Sequence, residues 1–423
     1  MAEPESSKPA SGQRQALVIG AGIVGTCSAL YLQREGFQVT LIDRDGPGEG
    51  CSSGNAGGLG IASFIPLAMP GTLRKVPAML FAPDSALKIH WAYLPRALPW
   101  LVRFALASRR KRVEEISDAL SAALFGLFEA YEPLLAETDA RDLIRRDGKL
   151  YVYESEASFA GGQYSLDLRR KRGIEVKSLS GDEAREIVPD LGPAVKRGAY
   201  IPAAGQTVNP LRLTQTLAEL FQKKDGKILR ETVKGFEFGS DGPPKVVTDA
   251  ATHAPDLIVV AAGAWSKVLA AQLGTRVSLE SQRGYHAMLP NAGVTTPVSV
   301  QSSDRHIIIS QMENGLRVTG IADFEGLEAP PNYARADTVV RHAQALIPSL
   351  QSDGMTRWMG NRPSTPDSLP VIGPAPGHPS VLFAFGHCMI GLGLGAVTGR
   401  TIGELAAGRK PSIDITSFRP DRF

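Results

Sequence analysis

Gly20, Gly22 and Gly25 stand in a G-x-G-x-x-G spacing, and Asp43 follows twenty-three residues after the first of them. Each glycine suits a separate demand: a tight turn, the approach of a diphosphate to the main chain, and close packing of a helix on a sheet. Free amides at the start of the next helix would face phosphate oxygens. The Asp43 carboxylate would accept both hydroxyl hydrogens of a ribose. The spacing alone arises by chance in a chain with 44 glycines, so the elements around it decide its meaning. QALVIG is a short apolar run that reads as a strand, and AGIVGTCSALYLQREG has helical apolar spacing up to Gly36. QVTLID then reads as a second strand that ends on Asp43. Strand, glycine turn, helix, strand and acid together form a dinucleotide-binding unit.

Small residues dominate from Cys51 to Gly60. Ser52, Ser53, Asn55, Gly57 and Gly58 suit a chain that runs against a flat cofactor, with a flexible surface loop as the alternative. Farther on, Asn209 and Pro210 open a helix. DLIVVAAGAWS reads as a strand that returns to the dinucleotide site, with a helix from about Trp265. RGYHAMLP, HIIIS and LRVTGIADF form a later antiparallel sheet, with MENG as a hairpin turn. A strand ending near Phe385 is followed by a glycine turn and a helix, which offers a second helix N-terminus to the cofactor. The expected fold class is α/β plus α+β, a chain that alternates between two domains. The expected segments are a tail over 1–14, cofactor-domain parts over 15–90, 200–275 and 356–423, and substrate-domain parts over 91–199 and 276–355.

A length of 423 residues provides for two or three domains. With 43% apolar and 21% charged residues, the chain is neither a disordered polyampholyte nor a membrane bundle. A formal net charge of +3 gives no steering field for nucleic acid. Cys27, Cys51 and Cys388 lie far apart and form neither a metal-ligand pair nor a redox C-x-x-C, so no metal is expected and a reducing compartment fits. No export signal or spanning run is apparent, which points to a cytoplasmic protein. Apolar stretches at IPLAMP and VPAMLF precede residues 91–112, which join helical apolar spacing to a basic end at Arg109, Arg110, Lys111 and Arg112. That segment admits two readings: a peripheral patch on the inner face of an anionic membrane, or a helix packed on the second domain with a solvated basic end.

The segments VIGAGIVG, SSGNAGG, GQTVNPLRL, VVAAGAWS, RGYHAMLP, WMGNRPSTPD and GHCMIGLGLGAVTG resemble the D-amino-acid oxidase superfamily of FAD-dependent amine oxidoreductases. Within it they are most similar to the bacterial D-amino-acid and D-hydroxyproline dehydrogenase branch. The resemblance implies a glutathione-reductase-type FAD-binding Rossmann domain interleaved with an antiparallel-sheet substrate domain. It places Gly20, Gly22, Ile23, Val24, Gly25, Asp43, Arg44, Val233, Ala262, Gly263 and Trp265 along the adenosine and diphosphate half of FAD. Ser52, Ser53, Asn55, Ala56 and Gly57, with Gly386, His387, Ile390, Gly391 and Leu392, fall along the flavin ring.

By the same resemblance, Arg362 of GNRP contacts the cofactor region and pairs with a substrate carboxylate, for which its planar fork is suited. Tyr285 and His286 fall on the substrate-side wall. His387 is placed either at the reaction centre or as a structural hydrogen-bonding group. The implied reaction is hydride transfer to flavin N5 from the carbon bearing the nitrogen of a small D-amino or D-imino acid, D-proline and D-hydroxyproline among them. Electrons would pass to a quinone or carrier. The alternatives are a glycine- or sarcosine-type oxidase that forms hydrogen peroxide, and a non-catalytic flavin-binding structural protein. No residue is singled out as a compulsory base.

Overall fold

The computed structural model describes residues 12–72, 84–239 and 242–423. Residues 1–11 of the expected tail and the VPAMLF stretch lie outside the described residues. Six strands form one sheet in the order Val371–Ala375, His378–Phe385, Leu257–Val260, β1 (Gln15–Ile19), β2 (Gln38–Asp43) and Lys227–Arg230. All neighbours pair in parallel except the Val371–Ala375 edge. Leu257–Val260 is buried at every position, as a parallel strand covered on both faces should be.

The helix α1 (Ile23–Arg34) follows β1 and packs against the late helix Gly391–Ala406. Their approach is so close that a Cβ on Gly399 would stand 2.7 Å from the Cys27 carbonyl oxygen. Asn209 caps the helix Pro210–Lys223, its side chain accepting from the Arg212 amide, as the Asn-Pro pair predicts.

The second layer is a predominantly antiparallel sheet. Its order is Thr356–Ser364, Glu280–Leu289, Gly315–Phe324, Ile307–Met312, Ser299–Ser302, Lys149–Tyr153, Arg197–Ile201 and Lys177–Ser180. A ninth strand, Leu87–Ile89, pairs in parallel with Gly315–Phe324. The expected hairpin at MENG joins Ile307–Met312 to Gly315–Phe324. One face of this sheet packs on the helix Ala334–Leu346, where Val318, Val339, Val340 and Ala343 share a buried cluster. The other face turns toward the six-stranded sheet.

Sheet and core membership move several expected crossings. Strand 356–364 lies in the nine-stranded sheet, so the chain returns to the cofactor side only after Ser364. Strand 87–89 belongs to the same sheet, although it falls within the expected segment 15–90, and strand 197–201 runs past the expected break at 199. The helices Arg110–Phe125 and Leu127–Leu135 were expected in the substrate domain. Instead Ile116, Leu120, Leu124, Leu127 and Tyr131 join the cluster built around α1. The Tyr131 hydroxyl donates to the Leu392 carbonyl at 2.7 Å, and that of Tyr31 to the Ala130 carbonyl at 2.6 Å. Helical periodicity announces an apolar face without naming its partner, so the pattern alone does not assign these helices to either core.

The helix Leu94–Ala107 buries Ala97, Trp100 and Ala107, while Leu98, Val102 and Leu106 face outward. Among the described residues no helix is long and apolar enough to cross a membrane.

The α1 crossing yields a prediction. Gly399→Ala forces a methyl group onto the Cys27 backbone, and overpacking of this kind costs about 1–3 kcal/mol. A urea midpoint equal to that of the unsubstituted protein would show that the two helices separate freely.

Candidate active site

The first glycine of the fingerprint has φ +108, and a Cβ there would stand 2.4 Å from the Ala261 carbonyl oxygen. Only glycine satisfies both conditions. Gly25 lies against the Gly20 carbonyl, where a Cβ would be 1.8 Å away, so it shapes the turn and does not line a cavity. α1 begins at an N-cap, Gly22, that offers no side-chain cap. The Ser52 hydroxyl accepts from the Ile23 amide at 3.0 Å. The helix 391–406 likewise starts without a side-chain cap, at Ile390. Both helix starts therefore present amides and a positive dipole end to the same space.

That space is a cavity of about 2270 Å³ between the two sheets, more than twice the upper end of the roughly 300–1,000 Å³ that a drug-sized ligand occupies. At one end it is lined by Asp43, Arg44, Val233 and Trp265, then by Gly20, Gly22, Ile23, Val24, Ala262 and Gly263. The Arg44 guanidinium lies 4.0 Å from the centroid of the Trp265 ring, a cation–π contact at this end. Asp43 accepts from the amides of Ala21 (2.7 Å) and Asp45 (3.0 Å). Each carboxylate oxygen retains a second lone-pair site for a ribose hydroxyl. Burial raises the Asp43 pKa against the pull of those amides.

Toward the middle, Ser52, Asn55, Ala56, Gly386, His387, Ile390, Gly391 and Leu392 line the cavity. Ser53 and Gly57 do not. The Ser53 hydroxyl turns back to the carbonyls of Glu49 and Gly50, and Gly57 shapes the loop against Thr207. An elongated cavity with two helix starts whose N-cap residues offer no side-chain cap, a ribose acceptor and a small-residue loop along its middle fits FAD from adenine to ring.

The nine-stranded sheet supplies the other wall. Side chains on one face recur every second residue. Trp358, Gly360 and Arg362 therefore share the face that carries Gln282, Gly284 and His286 on the neighbouring strand. Arg362 lines the cavity. It donates to the Ile321 carbonyl at 2.7 Å and to the Gly320 carbonyl at 3.2 Å. Desolvation pulls its pKa below the usual arginine range. Gly284 makes room for it, since a Cβ there would stand 2.1 Å from the Arg362 guanidinium carbon.

Tyr285 requires a correction. It is one residue out of phase with His286 and Gly284, so it points to the opposite face. It is buried in the cluster with Val318 and Val339, and its hydroxyl accepts from the Asn332 amide at 3.2 Å. His286 is on the correct face but lies behind the cavity wall. Its ring stacks on Trp358 with centroids 4.9 Å apart, and Nδ1 pairs with the Gly54 carbonyl at 3.2 Å. Trp358 lines the cavity in its place. His387 does line the cavity, and its Nε2 shares a 2.9 Å hydrogen bond with the Thr398 hydroxyl.

Arg317 is the main residue the motifs did not reveal. It donates to the carbonyls of Ser53 (2.8 Å) and Asn55 (2.6 Å), so the sheet holds the small-residue loop in place. Burial lowers its pKa to about 10. The available signal was its phase on LRVTG: it alternates with Thr319, which lines the cavity.

Both site histidines remain neutral. Burial lowers the pKa of His387 to about 3 and, with Arg317 and Arg362 nearby, that of His286 to about 3. Unfolded histidine titrates near 6.5. A folded value below the unfolded one means that the unfolded chain binds the extra proton. The associated stability is thus complete above pH of about 6.5 and is lost as pH falls toward 3. Each buried imidazole steepens that loss by about 1 kcal/mol per pH unit. His387→Asn should therefore flatten the decline in urea midpoint between pH 6.5 and pH 4.5. An unchanged slope would place the titration elsewhere.

A family profile described as "DAO: FAD dependent oxidoreductase" matches residues 15–405. The chain is 37% identical over 417 residues to a D-amino-acid oxidase of Bradyrhizobium diazoefficiens, covering 97% of this chain and 99% of that protein. It is 33% identical over 429 residues to D-amino acid dehydrogenase 2 of Ralstonia nicotianae, covering 96% and 99%. Among solved structures, glycine oxidase from Geobacillus kaustophilus superposes with a TM-score of 0.74 at 21% identity, over 97% of this chain and 100% of that one. L-proline dehydrogenase from P. horikoshii gives 0.73 at 20%, over 97% and 98%. These two likenesses speak for the fold alone.

Proposed function

Because the chain belongs to the DAO family of FAD-dependent oxidoreductases, with FAD as its cofactor, we propose that it oxidises a D-amino or D-imino acid whose carboxylate is gripped by Arg362. The observation that carries this reading is the Arg362 guanidinium, tethered to two backbone carbonyls on the wall of the FAD cavity. FAD, when bound, accepts the hydride that leaves the carbon bearing the nitrogen, so the substrate departs as an imine that water hydrolyses to a 2-oxo acid.

The residues do the positioning. Two tethering bonds leave Arg362 further N–H donors for a carboxylate, and its fixed fork orients the acid group. Trp358, braced by His286, forms an apolar wall beside it. Arg362 and Arg317 make the site cationic, which favours substrate with a neutral amine. Neither His286 nor His387 is suited to act as a base at neutral pH, because each is bound to a fixed partner and burial holds its pKa low. Substrate therefore sheds its ammonium proton to solvent before oxidation.

Several relatives carry the name D-amino acid dehydrogenase, which supports a quinone or carrier as electron acceptor. The outward Leu98, Val102 and Leu106, beside Trp91 and the basic run 109–112, supply a face for peripheral membrane contact where a quinone would be met. A second reading, oxygen as acceptor with peroxide formed, is favoured by the relative named D-amino-acid oxidase.

Anaerobic mixing of the holoenzyme with D-alanine, D-proline, D-hydroxyproline and their L-enantiomers, and with the achiral glycine and sarcosine, should bleach the flavin with D-substrates. Absence of bleaching across the panel would end this reading. Reoxidation of the bleached enzyme should be faster with a quinone analogue than with dissolved oxygen, and the opposite order with peroxide release selects the oxidase. Arg362→Ala should raise KM for carboxylate substrates by at least tenfold, in line with the roughly 1.5–3 kcal/mol of a hydrogen bond to a charged group, while FAD content holds. Gly284→Ala, which displaces the same guanidinium, should reproduce that KM effect. A normal KM in both variants would detach Arg362 from the substrate.

A further inference from the structure

The cavity face of the nine-stranded sheet continues well past the Arg362 clamp. Strand register places Trp358, His286, Thr319, Ile308, Gln301 and Tyr151 in one row across it. Tyr151 closes the row, and two cations flank it. Lys149 Nζ lies 5.4 Å from the Tyr151 ring centroid and the Arg169 guanidinium carbon 4.9 Å from it. Arg169 also donates to the Tyr151 hydroxyl at 3.0 Å. All three side chains line the cavity.

The charge balance of this corner is unusual. Arg169 directs its other donors to the carbonyls of Ala62 (3.2 Å) and Ser165 (3.0 Å), which satisfy hydrogen bonds but do not neutralise it. Among the described residues, Lys149 Nζ has no hydrogen bond and no ion pair, only its contact with the Tyr151 ring. The Tyr151 hydroxyl, which accepts from Arg169, retains its own hydrogen to donate. No carboxylate among the described residues perturbs Lys149 or Tyr151. Burial lowers the Lys149 pKa. At Tyr151 burial pushes upward, but Arg169 and Lys149 outweigh it and the phenol titrates below its usual value. Cations withdrawn from water without counter-charge are costly, and an anionic ligand offsets that cost. The corner thus holds two cations and two donor groups, and among the described residues no carboxylate pairs with them.

We propose that Lys149, Tyr151 and Arg169 form an anion subsite for a second acidic group, carried at the far end of the side chain of an amino acid whose α-carboxylate Arg362 holds. The inference rests on the function proposed above and narrows its substrate class to acid-terminated D-amino acids. Arg362 is tethered to strand 315–324, three strand spacings from strand 149–153. At about 4.8 Å each, that is roughly 14 Å. The lysine stem, the tyrosine ring and charge-assisted contacts of about 2.8 Å at each end take up much of this span. A side chain with a few methylenes before its acid bridges the remainder, and a short neutral one does not.

The test is anaerobic stopped-flow flavin reduction of the holoenzyme by D-aspartate, D-glutamate and D-2-aminoadipate. Each is compared with a neutral counterpart: D-asparagine, D-glutamine and D-norleucine. The expected result is a preference for the acid that grows along the series and falls at least tenfold in Lys149→Gln. Lys149→Arg should retain it. As a readout without turnover, glutarate should perturb the bound-flavin spectrum at lower concentration than butyrate, and Lys149→Gln should erase that difference. Reduction by D-amino acids with acid-to-neutral ratios near one, or ratios unaltered by Lys149→Gln, would overturn the subsite and leave the proposed function standing. Reduction by none of these six while D-alanine or D-proline bleaches the flavin would also overturn the subsite alone, and reduction by none of all these D-amino acids together would overturn both.

Discussion

A guanidinium withdrawn from water must keep its hydrogen bonds, and the manner in which it does so governs the interior of this protein. Arg362, Arg317 and Arg169 all direct donors to backbone carbonyls: those of Ile321 and Gly320, of Ser53 and Asn55, and of Ala62 and Ser165. Carbonyls are dipoles without net charge, so each arginine is held rigidly while its positive charge survives. Arg335 behaves differently. Its bidentate pair with Asp323, at 2.9 and 2.7 Å, is buried and neutralised, and neither residue lines the cavity. The chain thus spends carboxylates where it needs structure and withholds them where it needs charge.

The same contacts fasten the two layers together. Arg317 and His286 both reach from the nine-stranded sheet to the 52–57 loop, so the strip expected along the cofactor ring is positioned by the substrate-side wall as much as by the Rossmann unit. Arg362 in turn spans three strands: it is borne on 356–364, crosses Gly284 on 280–289, and is tied to 315–324. A shift of any of these strands would move the proposed carboxylate grip relative to the ring. Residues distant in sequence therefore act as one rigid seat.

What the amino-acid sequence disclosed follows the range of the interactions involved. The Asn209–Pro210 helix start depends on neighbours a few residues away, and the glycine turn and Asp43 belong to one short strand–turn–helix–strand unit whose pattern is continuous in the sequence. Tyr285 and His286 were assigned to the correct strand, but every position from Glu280 to Ala287 is buried. A strand covered on both faces shows no polar alternation, so nothing in QRGYHA tells which phase meets the cavity. The packing partners of the helices 110–125 and 127–135 are hidden for a related reason, because α1 and 391–406 are remote in the chain. Arg317 and Lys149 read as ordinary strand charges until the register shows which face they occupy.

The contact at Gly399 has a consequence for the choice of cofactor. It fixes α1 against the helix 391–406, and the starts of both helices line one cavity. The separation of these two starts is therefore set by a van der Waals contact in the core. The helix pair acts as a ruler. A mononucleotide such as FMN, seated at the 391–406 start, would leave Asp43, Arg44 and Trp265 without a partner, which would favour the longer FAD.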